Sequence, residues 1–260
     1  MIRRPPRSTL DRSSAAADVY KRQPLYILFQ KTMSFNLELI KFRELQTTME
    51  DGKRFYKTPD GDSYPSVTSV TGILAKDGIL AWRQRIGEEK ADQITKAATS
   101  RGNEVHRLAE LYLKNELFSQ ENLFDEPKSN TYKMFESLSE VLDQNVGKVR
   151  AIEAPLFSHN LRVGGRVDLI AEWEGELAVI DFKTSSKPKK EQWIDNYFMQ
   201  SSAYAQMFEE LTEITVNKIV IAVALENLGT QVFIKRPADY IQQFIDLRKT
   251  YDIINTDSRD

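Results

Sequence analysis

Two short apolar runs, 166–173 and 177–182, are separated by Glu174-Gly175-Glu176 and set the frame for the rest of the chain. Runs of this length on either side of a glycine-containing triplet predict two buried strands joined as a hairpin. Upstream, 149–157 predicts the first strand of the same sheet. Downstream, 218–224 is continuously apolar, as expected of a strand covered on both faces, and Gly229 turns the chain into an edge strand over 230–235. Helical spacing fills the intervals. Val105, Leu108, Ala109 and Tyr112 fall at i, i+3, i+4 and i+7 and predict a helix over about 89–117. Tyr132, Phe135, Leu138 and Leu142 predict another over about 131–144, and Ile194, Tyr197, Phe198, Ser201, Ala205 and Phe208 a third over about 191–211. Tyr240, Phe244, Leu247 and Tyr251 give the last helix its apolar face, with Pro237 at its start.

The N-terminal part is less regular. Segments 37–42 and 54–56 predict a strand pair with turns at Asp51-Gly52 and Asp60-Gly61, an edge decoration. Pro65 to Thr71 can cap a helix at a Ser or Thr, an amphipathic helix follows over about 79–86 with Trp82 as a core residue, and the next begins at Glu88. Residues 122–129, with Pro127, predict a loop, and 255–260 a fraying tail. The order helix, three strands, helix, two strands predicts an α/β (α+β) domain. Its mixed central sheet is flanked by helices and carries an N-terminal helical and strand extension.

Chemistry concentrates on the predicted hairpin. Side chains alternate along a strand, so Asp181 and Lys183 share a face, and Asp168 is a carboxylate inside an apolar run, costly to bury unless a cation or donor meets it. Two carboxylates without a cysteine or a histidine pair favour a hard ion, Mg²⁺ with Mn²⁺ as substitute, over zinc. Such a site suits metal-assisted phosphodiester hydrolysis, with a lysine positioning or deprotonating the water. The same residues admit an ordinary reading, in which Asp168 caps a strand end and Asp181 pairs with Lys183. The D-x-K spacing alone does not choose between them.

Gly165-x-x-Asp168, Asp181-x-Lys183 and Gln200-x-x-x-Tyr204, taken in order, resemble the RecB-like branch of the PD-(D/E)XK nucleases. Arg101-Gly102-Asn103-Glu104-Val105-His106 is similar to the upstream helix that carries a metal-binding histidine in that branch. Tyr64-Pro65-Ser66-Val67-Thr68 and Trp82 to Glu89 extend the likeness toward the family of mitochondrial genome maintenance exonucleases and their viral relatives. The resemblance implies that His106, Asp168, Asp181 and the Phe182 backbone carbonyl hold Mg²⁺, that Lys183 activates water and that Gln200 orients it, without a covalent intermediate. It makes Glu153 a further acidic candidate, alongside an exposed strand glutamate, and Tyr204 a substrate contact or buttress, alongside a core residue. Arg83, Arg85, Arg101, Lys187, Lys189 and Lys190 are the candidate DNA contacts, and the region around Trp82 helps shape the path of a single strand. The implied activity is an Mg²⁺-dependent exonuclease on single-stranded DNA ends in replication, repair or recombination, with replication or recombination proteins as the class of protein partner. The alternatives are a structure-specific endonuclease on the same fold and a nucleic-acid-binding module that has lost catalysis. The iron–sulfur cluster of several RecB-like nucleases is excluded here, because the chain has no cysteine.

Composition adjusts this picture in three ways. Net charge is −2, which argues against a uniformly basic nucleic-acid wrapper but not against a groove with local lysines. The absence of cysteine rules out disulfides and a thiol nucleophile, and no run is apolar for long enough to span a bilayer, so a soluble cytoplasmic protein without membrane contact is expected. Residues 1–32 have no hydrophobic period and resemble a translated sequencing adapter, making Met33 the expected start of a single domain over 33–260; a mitochondrial transit peptide is the second reading. For a viral protein the compartment would be the host cytoplasm. Residues 33–260 hold 29 basic and 36 acidic residues, a net of −7.

Overall fold

The computed structural model describes residues 34–117 and 129–256. The leader 1–32, most of the loop predicted at 122–129 and the end of the tail lie outside the described residues. The chain first forms a small antiparallel sheet of β1 (Gln46–Glu50), β2 (Lys53–Lys57) and β3 (Ser63–Pro65). Asp51 and Gly52, both at positive φ, make the β1–β2 turn, as the Asp-Gly pair predicts. The partner of residues 54–56 is β1 and not the expected segment 37–42. That segment has no strand of its own: Leu37 forms a single bridge to Val149, and Ile40 and Phe42 pack against the core. It runs along the edge of the main sheet, where the Glu38 and Ile40 N–H groups donate to the Val149 and Arg150 carbonyls.

Ser66 caps α1 (Val67–Gly72), its hydroxyl accepting the Ser69 N–H at 2.9 Å. Helix α2 (Lys76–Ile86) starts earlier than expected and buries no residue; Trp82 is half-buried rather than core. Gly87, at φ 88°, ends α2 and leads directly into α3 (Glu88–Leu113). The latter stops four residues short of the predicted end, where Asn115 takes φ 61°.

The remaining elements follow the predicted order. They are α4 (Asn130–Asn145), β4 (Val146–Ser158), β5 (Val163–Trp173), β6 (Glu176–Ser185), α5 (Asp195–Thr212), β7 (Lys218–Leu225), β8 (Gly229–Lys235) and α6 (Ile241–Thr256). The expected helix starts at Glu191 and Pro237 are short 3₁₀ turns, Glu191–Trp193 and Pro237–Asp239, preceding α5 and α6. The five strands lie in the order β4-β5-β6-β7-β8. All pairs are antiparallel except β6–β7, whose parallel connection is the α5 crossover. One core layer packs beneath α1, α5 and α6 and contains Val179, Phe198, Phe208 and Ile221; the other packs beneath α3 and α4 and contains Val105, Leu138, Ile180 and Phe182. Sequence alternation along β6 therefore sends Asp181 and Lys183 toward α5.

Alternation is already interrupted in β4 by register shifts between Val146 and Ala151, and it fails again further on, this time in two strands at once. In β4, Ala151 and Ala154 join the same core layer although three residues apart, and in β5 so do Val167 and Ile170. The register Ile152↔Leu169 and Ala154↔Val167 puts Glu153 opposite Asp168 at the centre of both irregularities. Glu153 adopts φ 47°, a left-handed conformation that is costly for glutamate and tends to persist at functional sites.

Immediately before this point, Gly164 and Gly165 let neighbours touch the β5 backbone from both sides. A Cβ on Gly164 would lie 2.5 Å from Tyr56 Cβ, and one on Gly165 2.7 Å from Tyr204 Oη. Gly164→Ala is therefore expected to destabilise the fold by about 1–3 kcal/mol through overpacking against Tyr56, a Tm drop of roughly 2–4 °C per kcal/mol in thermal denaturation. An unchanged Tm would mean that β2 does not press on β5.

Candidate active site

The β5–β6 ladder pairs Trp173 with Glu176 through Leu169 with Ile180, and then opens. At the fork the Asp168 side chain replaces the strand: its Oδ2 accepts the Phe182 N–H at 2.7 Å. Beyond the fork β6 remains paired to β7 through Ser185↔Leu225, so Asp181 and Lys183 stand on a supported strand. Asp181 is buried; its Oδ1 accepts from Gln200 Nε2 of α5 at 2.9 Å, and the Lys183 ammonium forms an ion pair with Oδ2. That contact is not an aligned hydrogen bond, and Oδ2 is a buried oxygen without a hydrogen-bond partner. Each aspartate thus gives one oxygen to a hydrogen bond and turns the other toward a cationic side chain, Asp181 Oδ2 to Lys183 and Asp168 Oδ1 to His106.

His106 reaches the same place from α3. Its Nε2 lies 2.9 Å from the Phe182 carbonyl oxygen, and its Nδ1 lies 3.4 Å from Asp168 Oδ1 and 3.9 Å from Glu153 Oε1. Burial works against a charged imidazole, but the Asp168 and Glu153 carboxylates outweigh it and push His106 up to about 10. Burial likewise opposes the charge on Lys183, and Asp181 with Asp168 more than compensate, so its pKa is raised. Burial raises Asp181 to about 6, against the pull of Lys183 and with the repulsion of Asp168. Asp168 is lowered despite its burial, through His106, Lys183 and the Phe182 N–H, while burial raises Glu153. Two cations thus neutralise most of a cluster of three acids.

The donor set fits a divalent cation. One ligand atom each from His106, Glu153 and Asp168 lie within 4.8 Å of one another, the Phe182 carbonyl adjoins His106, and Asp181 Oδ2 is an orphaned buried oxygen. Hard oxygens with one imidazole suit Mg²⁺ or Mn²⁺ chemistry. Glu153, not Asp181, completes the tightest group, because Asp181 is turned toward Gln200 and Lys183. The fork is open. A separate cavity of about 860 Å³, lined by Glu176, Lys218 and Arg236 among others, lies at the other end of β6 and β7 and gathers none of these residues.

Of the other candidates, Tyr204 is buried against Gly165, and burial raises its hydroxyl well above the usual tyrosine range. Arg83 is held by Glu88 and by Asp92 at 2.6 Å, bracing the α2–α3 corner. Arg85 is exposed, and Arg101 is half-buried with Nε facing no acceptor among the described residues. Lys187 and Lys190 are exposed and Lys189 is half-buried. Two residues escaped sequence reasoning. Tyr197, read as core from helical spacing, places its ring 5.1 Å from Lys183 Nζ. The Arg166 guanidinium bonds the Glu153 carbonyl and Glu44 Oε2, bracing the left-handed residue; its place two residues before Asp168 was the available signal.

The charges set a pH dependence for the metal-free protein. His106, raised in the fold, contributes stability that is complete below its ordinary value of 6.5 and is lost as pH rises through about 10. Asp181 is a carboxyl that is raised rather than depressed, so its contribution is complete below 3.8 and is lost as pH rises through about 6. Asp181→Asn retains an acceptor for Gln200 and removes this ionisation. In EDTA at pH 8 it is expected to stabilise the protein by about 1–3 kcal/mol, and its Tm should converge with wild type near pH 4. A lower Tm for the variant at pH 8 would mean that loss of the Lys183 ion pair dominates.

Comparison with known proteins agrees with this geometry. The profile of the PD-(D/E)XK nuclease superfamily matches residues 80–250. Mitochondrial genome maintenance exonuclease 1 of Homo sapiens is 33% identical over 135 residues, covering 48% of this chain and 38% of that protein. The Mus musculus protein is 31% identical over the same shares. The matched region therefore spans well under half of those relatives. Among solved structures, SSO0001 aligns over 71% of this chain and 74% of its own, with 16% identity and a TM-score of 0.37. With the family profile covering about two thirds of its length, the chain belongs to the PD-(D/E)XK nuclease superfamily.

Proposed function

We propose that this chain is a divalent-metal-dependent deoxyribonuclease, an exonuclease acting on single-stranded DNA ends with Mg²⁺, within a single domain beginning near Met33. The observation that carries the reading is the fork at Phe182. There Asp168, Asp181, Lys183, His106 and a backbone carbonyl converge, each carboxylate with one oxygen in a hydrogen bond and the other facing a cationic side chain that a metal ion could displace. His106, Asp168, Asp181 and the Phe182 carbonyl would hold the cation, with Glu153 beside them. A bound divalent ion supplies Lewis-acid polarisation of a phosphodiester and lowers the pKa of a water.

The chain's own groups do the rest. Gln200 fixes Asp181 Oδ1 and so keeps Oδ2 facing the site. Lys183 carries a proton while Asp181 and Asp168 surround it, and in that state it donates to a phosphate oxygen or to the attacking water. It becomes a base only when another cation takes up the charge of those carboxylates. Tyr197 lies along Lys183 and limits where the ammonium can swing. His106 must release its proton before it can bind a metal, so a cation and a proton compete for the site.

The names of the curated relatives support exonuclease action and genome maintenance as the setting. The reading takes the cytoplasm as the compartment, with the mitochondrial reading second. No helix among the described residues is long and apolar enough to cross a membrane.

End-labelled linear and circular single-stranded DNA, incubated with the protein and Mg²⁺, test the proposal. Loss of the linear strand alone, abolished by EDTA, is expected. Lys183→Ala should slow cleavage by about 10²-fold or more, and Gln200→Ala by about 10- to 100-fold. Cutting of the circle would establish an endonuclease, and cleavage in EDTA would overturn the metal-dependent reading.

A further inference from the structure

Past Lys183 the chain runs through Lys187-Pro188-Lys189-Lys190 to Trp193 before α5 begins. Trp193 is 61% exposed and is the only aromatic residue among the exposed large apolar side chains of the described residues. Lys190 Nζ stands 5.0 Å from the centre of its ring, a cation–π distance.

The segment is held in place. Ser185 Oγ donates to the Lys187 carbonyl at 2.7 Å and accepts the Lys187 N–H at 3.2 Å. The Lys189 N–H donates to Gln231 Oε1 at 2.7 Å, and its carbonyl accepts from Gln231 Nε2 at 3.3 Å, which ties the strap to β8. The charge of Glu191 is taken up by Lys235 at 2.5 Å. Lys187, Lys189 and Lys190 have no salt bridge among the described residues, so the strap presents uncompensated positive charge around one exposed indole.

The strap is continuous with the catalytic fork. Tyr197, four residues after Trp193, pairs with Lys183 as Trp193 pairs with Lys190. Two aromatic–ammonium pairs therefore follow each other along this segment, one of them at Lys183 itself. Lysines alone would suit any polyanion. A wet indole beside them suits a polyanion that also offers a flat π face, and an unpaired nucleobase is one, whatever its identity.

We infer that Trp193, flanked by Lys190, is a base-stacking platform for one nucleotide of the DNA strand outside the catalytic fork, with Lys187 and Lys189 contacting the adjoining phosphates. The inference rests on the proposed nuclease function and adds a substrate subsite to it.

Single-stranded oligonucleotides carrying one abasic residue at successive positions test it, in the full chain with wild type, Trp193→Ala and Trp193→Phe. Binding is read in EDTA by anisotropy, and KM and kcat with Mg²⁺. Wild type should lose about 5- to 100-fold in affinity at one abasic position and little elsewhere. Trp193→Ala should lose as much on the intact strand, mainly through KM, and become indifferent to the abasic position, while Trp193→Phe retains most of the binding. Wild type insensitive to every abasic position, or Trp193→Ala as sensitive as wild type, would overturn the platform. If wild type cuts no DNA, the nuclease reading fails, and the binding arm still judges the platform separately.

Discussion

The site depends on one substitution of partners: the Phe182 N–H bonds to the Asp168 carboxylate instead of to a strand carbonyl. A sheet cannot hold a reaction centre in its interior while its ladder is closed, because every backbone group is committed and neighbouring strands lie under 5 Å apart. Ending the β5–β6 ladder with a side chain opens the fork and still satisfies the buried donor. The same residue's carbonyl then faces His106, so the two peptide groups flanking Phe182 orient Asp168 on one side and the imidazole on the other. Phe182 itself, fully within the core layer under α3 and α4, anchors both.

The charge arrangement follows from that geometry. Three carboxylates brought to one fork repel each other, and burial worsens the repulsion. Without a metal, the cluster is held by the protonated His106 and Lys183, the two positive groups within reach. A divalent ion would supply the same charge from a single point and release both. A divalent ion bound there would replace internal cations with an external one, which would let an acidic chain meet a polyanion. Positive charge is needed only at the fork and along the path to it, and the surface elsewhere can remain negative.

Much of this was legible in the chain because apolar runs make charges conspicuous. Asp168, Asp181 and Lys183 interrupt segments that otherwise read as buried strand, and all three meet at the fork. His106 was placed by its likeness to a family helix, not by periodicity. What was hidden depends on departures from regular geometry. The family likeness named Glu153 as a candidate, but strand alternation does not place it, because its left-handed backbone and the matching irregularity at Asp168 redirect both side chains. Segment 37–42 alternates like a strand, but its partner is β4 and not 54–56: it runs beside β4 through the Leu37–Val149 bridge and the Glu38 and Ile40 N–H groups, which donate to the Val149 and Arg150 carbonyls. Tyr197 satisfies helical spacing and so reads as core, although its ring borders Lys183.

The paired glycines of β5 show why such a fork can be held to a fixed width. Beyond Leu169 β5 keeps β4 on one edge but has lost β6 on the other, so packing must set the spacing on the open side. Adjacent residues point to opposite faces, and the absence of side chains at Gly164 and Gly165 lets Tyr56 and Tyr204 press directly on the backbone from the two sides. Tyr56 belongs to the N-terminal sheet, and Tyr204 to α5, the helix that also carries Gln200 to Asp181. The N-terminal sheet is consequently more than a decoration on the nuclease core. Together with α5 it clamps the strand that bears the first aspartate, and α5, like α3 through His106, reaches both arms of the fork. Movement of α5 would displace Tyr204 on β5 and Gln200 on β6 together, so the separation of the two aspartates is tied to the seating of a single helix.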